Sequence, residues 1–224
     1  MSSFFNEHAA ASYLDGPPRQ VPGYAGLLRM AMLLVAERAP ADGRVLVLGA
    51  GGGLELKAFA DGQPGWSFDG VDPSVPMLQL AAETAAGHAA RIRLHQGYAD
   101  TAPAGPFDAA TSILVFHFMS REQRLDALHQ LRRRLRPGAP LVLAHISFPQ
   151  AEPERSAWIA RHVAFGAAAG LTHEQAASAR QAIGSRLTIL DPEEEQDLMR
   201  EAGFVDVTQF YAAFSFRGWV AYAG

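Results

Sequence analysis

The sequence predicts an α/β fold: a mostly parallel sheet with helices on both faces. Three observations carry this. Short apolar runs alternate with longer amphipathic ones along most of the chain, and strands separated by helices pair in parallel. Val45-Leu46-Val47-Leu48 runs straight into Gly49-Ala50-Gly51-Gly52-Gly53, and Leu54 to Ala60 then reads as a helix. A buried strand ending in a glycine-rich turn under a helix N-terminus is a seat for a nucleotide-like ligand. Downstream, Phe68-Asp69-Gly70-Val71-Asp72 ends a second strand with an acid. At a spacing of about twenty residues such a carboxylate accepts ribose hydroxyls.

The elements follow in order. Residues 9–22 are polar and proline-marked around Gly16-Pro17-Pro18. Gly23 to Arg38 is an amphipathic helix whose apolar face is Leu27, Leu28, Met30, Ala31, Leu34 and Val35. Asp42-Gly43 turns the chain into a strand at 44–49. A helix over 53–61, a strand at 67–71, a helix over 74–87 and a strand at 91–96 come next. A strand at 107–113, a helix over 120–135 and a strand at 140–146 complete the alternation. Pro137-Gly138 stops that helix and turns it into the strand. Gln150 to Gly184 breaks the rhythm: it is Ala-rich and helical, with Trp158, Ile159, Val163 and Phe165 on one face. Lying after the fifth strand, it reads either as padding of the core or as a lid over a substrate. Asp191-Pro192-Glu193-Glu194-Glu195 opens a short helix with a cap and an acidic first turn. Ala202-Gly203-Phe204 ends it, and 205–211 and 214–222 close the sheet as two strands joined by a tight turn.

With 224 residues and 49% hydrophobic content, the chain suits one domain over 1–224. Residues 1–40 form an N-terminal helical cap and 150–187 the insertion. No apolar run reaches the roughly 18–20 residues of a membrane span. The first residues lack the basic stretch of a signal peptide. The absence of cysteine removes disulfides, thiolate metal sites and Cys nucleophiles, and fits a cytoplasmic protein. A net charge of −4 disfavours nucleic acid as a partner. The only basic run, Arg132-Arg133-Arg134 with Arg136, reads as a solvated helix face. No His, Asp and Glu set has metal-ligand spacing. A homodimer is left open.

The glycine pattern narrows the ligand. The dinucleotide fingerprint G-x-G-x-x-G would need a glycine at Leu54, and no Gly-Lys-Ser/Thr follows the turn. The pattern present is G-x-G-x-G, at Gly49, Gly51 and Gly53. In order and spacing, VLVLGAGGG, FDGVDPS, FDAATSILVFHFM and LRRRLRPGAPLVLAHIS resemble the class I S-adenosylmethionine-dependent methyltransferases. Ala139 stands where that family usually has a second glycine after Arg136-Pro137-Gly138. The resemblance implies a Rossmann-like fold: a mostly parallel seven-stranded sheet, an antiparallel C-terminal strand and a helical insertion after strand 5.

On that resemblance S-adenosyl-L-methionine is the cofactor. Gly49, Ala50, Gly51 and Gly53 would cradle it, Asp72 with Pro73 would hold its ribose, Tyr98 and Ala99 would flank the adenine, and Ile113 would floor the site. Arg19-Gln20-Val21-Pro22-Gly23-Tyr24 and His117-Phe118-Met119-Ser120-Arg121-Glu122-Gln123-Arg124 are similar to one branch, the carboxy-S-adenosylmethionine synthases, which use prephenate. That branch implies Tyr24 near the methionine end. Three departures stand out. Leu198 occupies the place of the arginine that holds the branch's extra carboxylate. Val47 replaces an acid that helps position the cofactor's amino group. Tyr98 replaces an acid at the adenine, with Asp100 two residues away.

His117 and His145 follow the C-terminal ends of two strands, where open α/β sheets place ligands. A histidine there can take a proton from a nucleophile, although a structural role is the simpler reading of both. His162 and His173, in the insertion, read as solvated. Phe116 and Phe118 read as core or pocket wall. Methyl transfer from a sulfonium is an in-line displacement with a neutral leaving group, so positioning and water exclusion suffice without a catalytic constellation. The expectation is a methyltransferase acting on a small-molecule substrate. The alternatives are a carboxy-S-adenosylmethionine synthase and a non-catalytic protein binding S-adenosylmethionine or S-adenosylhomocysteine.

Overall fold

The computed structural model describes residues 13–168 and 187–224, with residues 170, 172, 174, 177, 178, 180, 181 and 183 between them. Its elements run α1 Gly16–Gln20, α2 Tyr24–Ala36, β1 Arg44–Leu48, α3 Leu54–Gly62, β2 Ser67–Asp72, α4 Val75–Thr84, β3 Ile92–Gln96 and β4 Ala109–Ile113. There follow α5 Arg121–Arg132, β5 Pro140–Ile146, α6 Glu154–Ala168, α7 Pro192–Glu201, β6 Phe204–Ala213 and β7 Phe216–Ala223. The described strands form a seven-stranded sheet in the order β3-β2-β1-β4-β5-β7-β6. β7 runs against both of its neighbours, and the other pairings are parallel. The order reverses between β1 and β4, and that switch opens a crevice at the strands' C-terminal ends.

β1 shows why the sheet is covered on both sides. Val45 and Val47 share a core with Leu27, Leu28 and Val35 of α2 and Leu56 and Phe59 of α3. Leu46 and Leu48 share a second core with Leu128 and Leu131 of α5 and Leu198 and Met199 of α7. Alternate side chains of a strand face opposite ways, so an apolar run without polar breaks needs helices on both faces. Local signals fix the helix ends. Ser120 and Gln123 form a capping box at α5, and the Asp191 side chain accepts the Glu193 amide at α7.

Several details differ from the sequence expectation. Met30 is exposed and Leu34 only partly buried, so the inward stripe of α2 is narrower. α4 ends at Thr84, and a 3-10 turn over Ala86–Arg91 leads into β3. Phe107 makes an isolated bridge to Leu135 instead of extending β4. The arginine run is a solvated face only at Arg133 and Arg136, which are exposed. Arg134 is buried and donates to the carbonyls of Asp100, Ala102, Pro103 and Gln130. Arg132 donates to the carbonyls of Gly203 and Gly224. These long side chains cover apolar surface while their planar forks satisfy loop carbonyls. His162 is not solvated either: its Nδ1 lies 2.6 Å from Ser215 Oγ and its ring packs on Phe216. Burial pushes its pKa down to about 4. α6 thereby seats on the β6–β7 turn, with Ile159 buried and Phe165 against Phe214. His173 and residues 1–12 of the expected N-terminal cap lie outside the described residues.

Candidate functional site

The glycine turn is knitted inward by its own amides. Gly49 and Ala50 both donate to the Val71 carbonyl at the end of β2, at 2.7 and 3.0 Å. Gly51 donates to Asp72 Oδ2 at 3.0 Å, and Ser74 donates to Asp72 Oδ1 at 2.9 Å. Gly53 donates to the Ala50 carbonyl. A phosphate loop aims such amides at its ligand. Here they hold β1 against β2, so the turn offers close approach to a ligand of low negative charge. Gly49 and Gly51 have φ of 79° and 49°, the left-handed region that glycine enters without penalty. A Cβ on Gly49 would stand 2.1 Å from Val115 Cγ2.

A cleft open to solvent lies over this turn. Gly49, Gly51, Asp72, Pro73, Tyr98, Ala99 and Ile113 all line it. Ala50 and Gly53 do not; Ala50 is buried under the turn, and a Cβ on Gly53 would meet Ala81 of α4 at 2.7 Å. Asp72 is buried, and desolvation raises its pKa against the lowering effect of the Ser74 and Gly51 amides. A carboxylate oxygen takes two hydrogen bonds, so each oxygen keeps one position for a ribose hydroxyl. Tyr98 is half exposed at the cleft rim, where its ring can cover an adenine face. Asp100 is exposed, its Oδ1 accepts the Thr101 amide, and it does not line the cleft.

The far wall is apolar: Leu114, Val115, Phe118 and Met119. Leu114 has φ of 65°, and its amide donates to the Ala144 carbonyl at 2.6 Å. Strain of this kind costs about 1–3 kcal/mol and persists where the surroundings over-determine it. Among the described lining residues none is Lys, Arg or His.

Two residues here lie outside the sequence expectation. Tyr13 lines the cleft and stands against the turn: a Cβ on Gly51 would come within 2.8 Å of its hydroxyl, and one on Gly52 within 2.6 Å of its ring. Its only sequence signal is that it is the sole aromatic in residues 9–22. Tyr24 is buried and does not line the cleft. Burial raises both tyrosine pKa values well above the usual phenol value, and the nearby Glu55 adds to each. Glu55 itself sits in the first turn of α3, only 5% exposed. Its Oε1 has no hydrogen-bond partner among the described residues, and the same holds for Thr111 Oγ1. Burial pushes the Glu55 carboxyl up to about 7, an effect Thr111 partly offsets.

His117 and His145 do not line the cleft. His117 is buried with its ring 4.3 Å from that of Phe118, behind the wall. Burial, then the charges of Arg124 and His162, push its pKa down to about 3. His145 is fully buried between Phe116 and Trp219, with Nε2 2.8 Å from Glu195 Oε1. Because a carboxylate only accepts, Nε2 carries the proton. Burial first, then Arg124, hold His145 neutral, its pKa well below the ordinary value. Glu195 also pairs with Arg124, whose other nitrogen donates to the Thr188 carbonyl. Leu198 is fully buried in the core of α5 and α7.

Residues 46–141 match the family model of a methyltransferase domain. A carboxy-S-adenosyl-L-methionine synthase of Aeromonas salmonicida is 25% identical over 221 residues, covering 97% of this chain and 90% of that one. An O-methyltransferase family protein from Burkholderia thailandensis superposes with a TM-score of 0.69 at 14% identity, over 98% of this chain and 60% of that one. Human N-acetylserotonin methyltransferase, solved with S-adenosylmethionine, gives 0.64 at 15% identity, over 99% and 57%. The chain thus spans somewhat over half the length of these two solved proteins. The matched methyltransferase domain over residues 46–141, the full-length relatives and the fold together support a place in the class I S-adenosylmethionine-dependent methyltransferase family.

Proposed function

We propose that the chain transfers the methyl group of S-adenosylmethionine to a small, neutral, largely apolar acceptor. The observation that carries this is the division of the cleft. One side offers the glycine turn, Asp72 and Tyr98, and the other is the wall of Leu114, Val115, Phe118 and Met119. The cofactor supplies an electrophilic methyl group on a sulfonium. Gly49 and Gly51 let it approach the backbone, Asp72 accepts its ribose hydroxyls, Tyr98 and Ala99 flank its adenine, and Ile113 floors the site. The apolar wall excludes water and aligns the acceptor with the methyl group, which is where an in-line displacement gains most of its rate. The α6 segment follows β5 at the same sheet end; none of its residues lines the cleft, so acting as a lid requires it to leave its seat on the β6–β7 turn.

Incubation with methyl-labelled S-adenosylmethionine and panels of O-, N- and C-nucleophiles tests this. Label transfer to a phenol, amine or other small acceptor supports it. Tight binding of S-adenosylhomocysteine with no transfer across the panels replaces it with the non-catalytic binder. A second reading, carboxy-S-adenosylmethionine synthase, is favoured by the name of the full-length relatives. Against it, Leu198 is apolar and buried where that branch has its arginine. Mass spectrometry after incubation with S-adenosylmethionine and prephenate decides, and the expected outcome is no carboxylated product.

A further inference from the structure

We infer that Glu55 holds the α-ammonium of the cofactor's amino-acid end, replacing from a helix the acid that β1 lacks at Val47. This rests on the cleft binding S-adenosylmethionine.

Glu55 is a carboxylate without its complement. No described Lys, Arg or His forms an ion pair with it, and Oε1 has no hydrogen-bond partner among the described residues. A buried carboxylate left in that state is expensive, and a ligand cation removes the expense. The position fits. Val47 pairs in register with Thr111. Val47, Ala109 and Ile113 belong to one core, and Thr111, two residues from both Ala109 and Ile113, faces the same way. Ile113 lines the cleft, so Thr111 lies one step beneath its floor. The Thr111 hydroxyl is near enough to lower the Glu55 pKa, although it makes no hydrogen bond of normal geometry. An acid on β1 at residue 47 and an acid in the first turn of α3 therefore converge on one place.

Strand order says which part of the cofactor reaches it. Asp72 and Tyr98 follow β2 and β3, on one side of β1, while Thr111 belongs to β4 on the other. With ribose and adenine on the first side, the amino-acid tail crosses the glycine turn toward β4. Tyr13 stands at that crossing, over Gly51 and Gly52, and it interacts with both Asp72 and Glu55. Tyr24 is near enough for the Glu55 charge to add to the rise in its pKa. Both phenols stay neutral near pH 7, so Glu55 is the group there that can carry the negative charge.

A four-way binding comparison tests the assignment. Full-length wild type and Glu55→Gln are each titrated calorimetrically with S-adenosylhomocysteine and with its desamino analogue, which carries hydrogen in place of the α-amino group. Wild type should prefer the amino ligand by about tenfold or more, the scale of a charge-assisted hydrogen bond. In Glu55→Gln that preference should fall to within about twofold, with binding of the desamino analogue unchanged. A preference that survives in Glu55→Gln overturns the assignment, and so does an equal loss for both ligands. If the glutamine variant is insoluble, Glu55→Asp, which withdraws the charge by one methylene, should reduce the preference at least about threefold. An unchanged preference there overturns it equally. Failure of wild type to bind either ligand overturns the cofactor reading itself and the assignment with it. Normal binding with an unchanged preference overturns the assignment alone.

Discussion

Glu195 and Glu55 are both helix first-turn carboxylates drawn into the interior, at 2% and 5% exposure. Their surroundings are opposite. Glu195 pairs with Arg124 and accepts from His145, and Arg124 donates in turn to the Met119 and Thr188 carbonyls. The Glu195 carboxylate itself is satisfied, in a core walled by Phe116 and Trp219, although His145 Nδ1 and Trp219 Nε1 have no hydrogen-bond partner among the described residues. Glu55 has Thr111 and two tyrosines near it and no cation among the described residues. A satisfied buried charge ties elements together, here α5, α7 and β5. An unsatisfied one is a standing cost that a bound partner can relieve. The first belongs to the fold, and the second marks the site.

The largest effect should come from turning the first carboxylate into the second. Arg124→Met strips Glu195 of its cation and leaves an uncompensated buried charge, which costs about 3–5 kcal/mol. Urea unfolding should register it as a lower midpoint with an unchanged slope. Adding Glu195→Gln to Arg124→Met should restore much of the loss, because removing both charges removes the imbalance. A single-variant loss below about 1 kcal/mol would mean that the cluster contributes no more than a surface pair does.

The converse change relieves the second carboxylate. The Glu55 carboxyl is raised from 4.5 to about 7 in the folded chain, so between these values the folded state binds more protons than the unfolded one. Stability contributed by this group is fully present below about pH 4.5 and is lost as the pH rises through about 7. The shift corresponds to on the order of 3 kcal/mol. His117 and His162 act the other way. Held at about 3 and about 4, they lower stability as the pH falls below the ordinary histidine value. The difference between wild type and Glu55→Gln cancels them. In denaturant melts of ligand-free protein, Glu55→Gln should gain on wild type from pH 5 to pH 8 by that order of magnitude. A flat difference across this range would show that Glu55 already has a partner.

The same contrast explains what could be read from sequence. Strands, helix caps, the glycine turn and Asp72 are written in neighbouring residues, and the turn's hydrogen bonds span only from β1 to the end of β2. Arg134 looked like one member of a charged run. Its partners, the carbonyls of Asp100, Ala102 and Pro103, lie some thirty residues away in the loop that presents Tyr98 and Ala99. In sequence Glu55 is an ordinary first-turn acid, as is Glu195. Nothing local separates the one that meets Arg124 from the one that lies near Thr111. Tyr13 became legible only once α1 and α2 had folded back across the turn. Leu114 carries no local signal for its φ of 65°, since its conformation is imposed by the bond to β5.

Asp72 stands between the two extremes and gives the smallest of the three effects. Two backbone amides already satisfy it, yet each oxygen keeps one acceptor position. Asp72→Asn retains the shape and replaces one acceptor by a donor, which cannot serve both an amide and a ribose hydroxyl. Losing a hydrogen bond to a charged group costs about 1.5–3 kcal/mol, or about ten- to 150-fold in affinity. The pattern of loss matters more than its size. Ribose is common to S-adenosylhomocysteine and to 5′-methylthioadenosine, which lacks the amino-acid tail, so Asp72→Asn should weaken both alike. Glu55→Gln should weaken the first and spare the second. Calorimetric titration of the two ligands against the two variants reads out four affinities. Unequal loss in Asp72→Asn would place that carboxylate nearer the tail than the ribose, and would remove the argument from strand order that directs the tail toward Glu55.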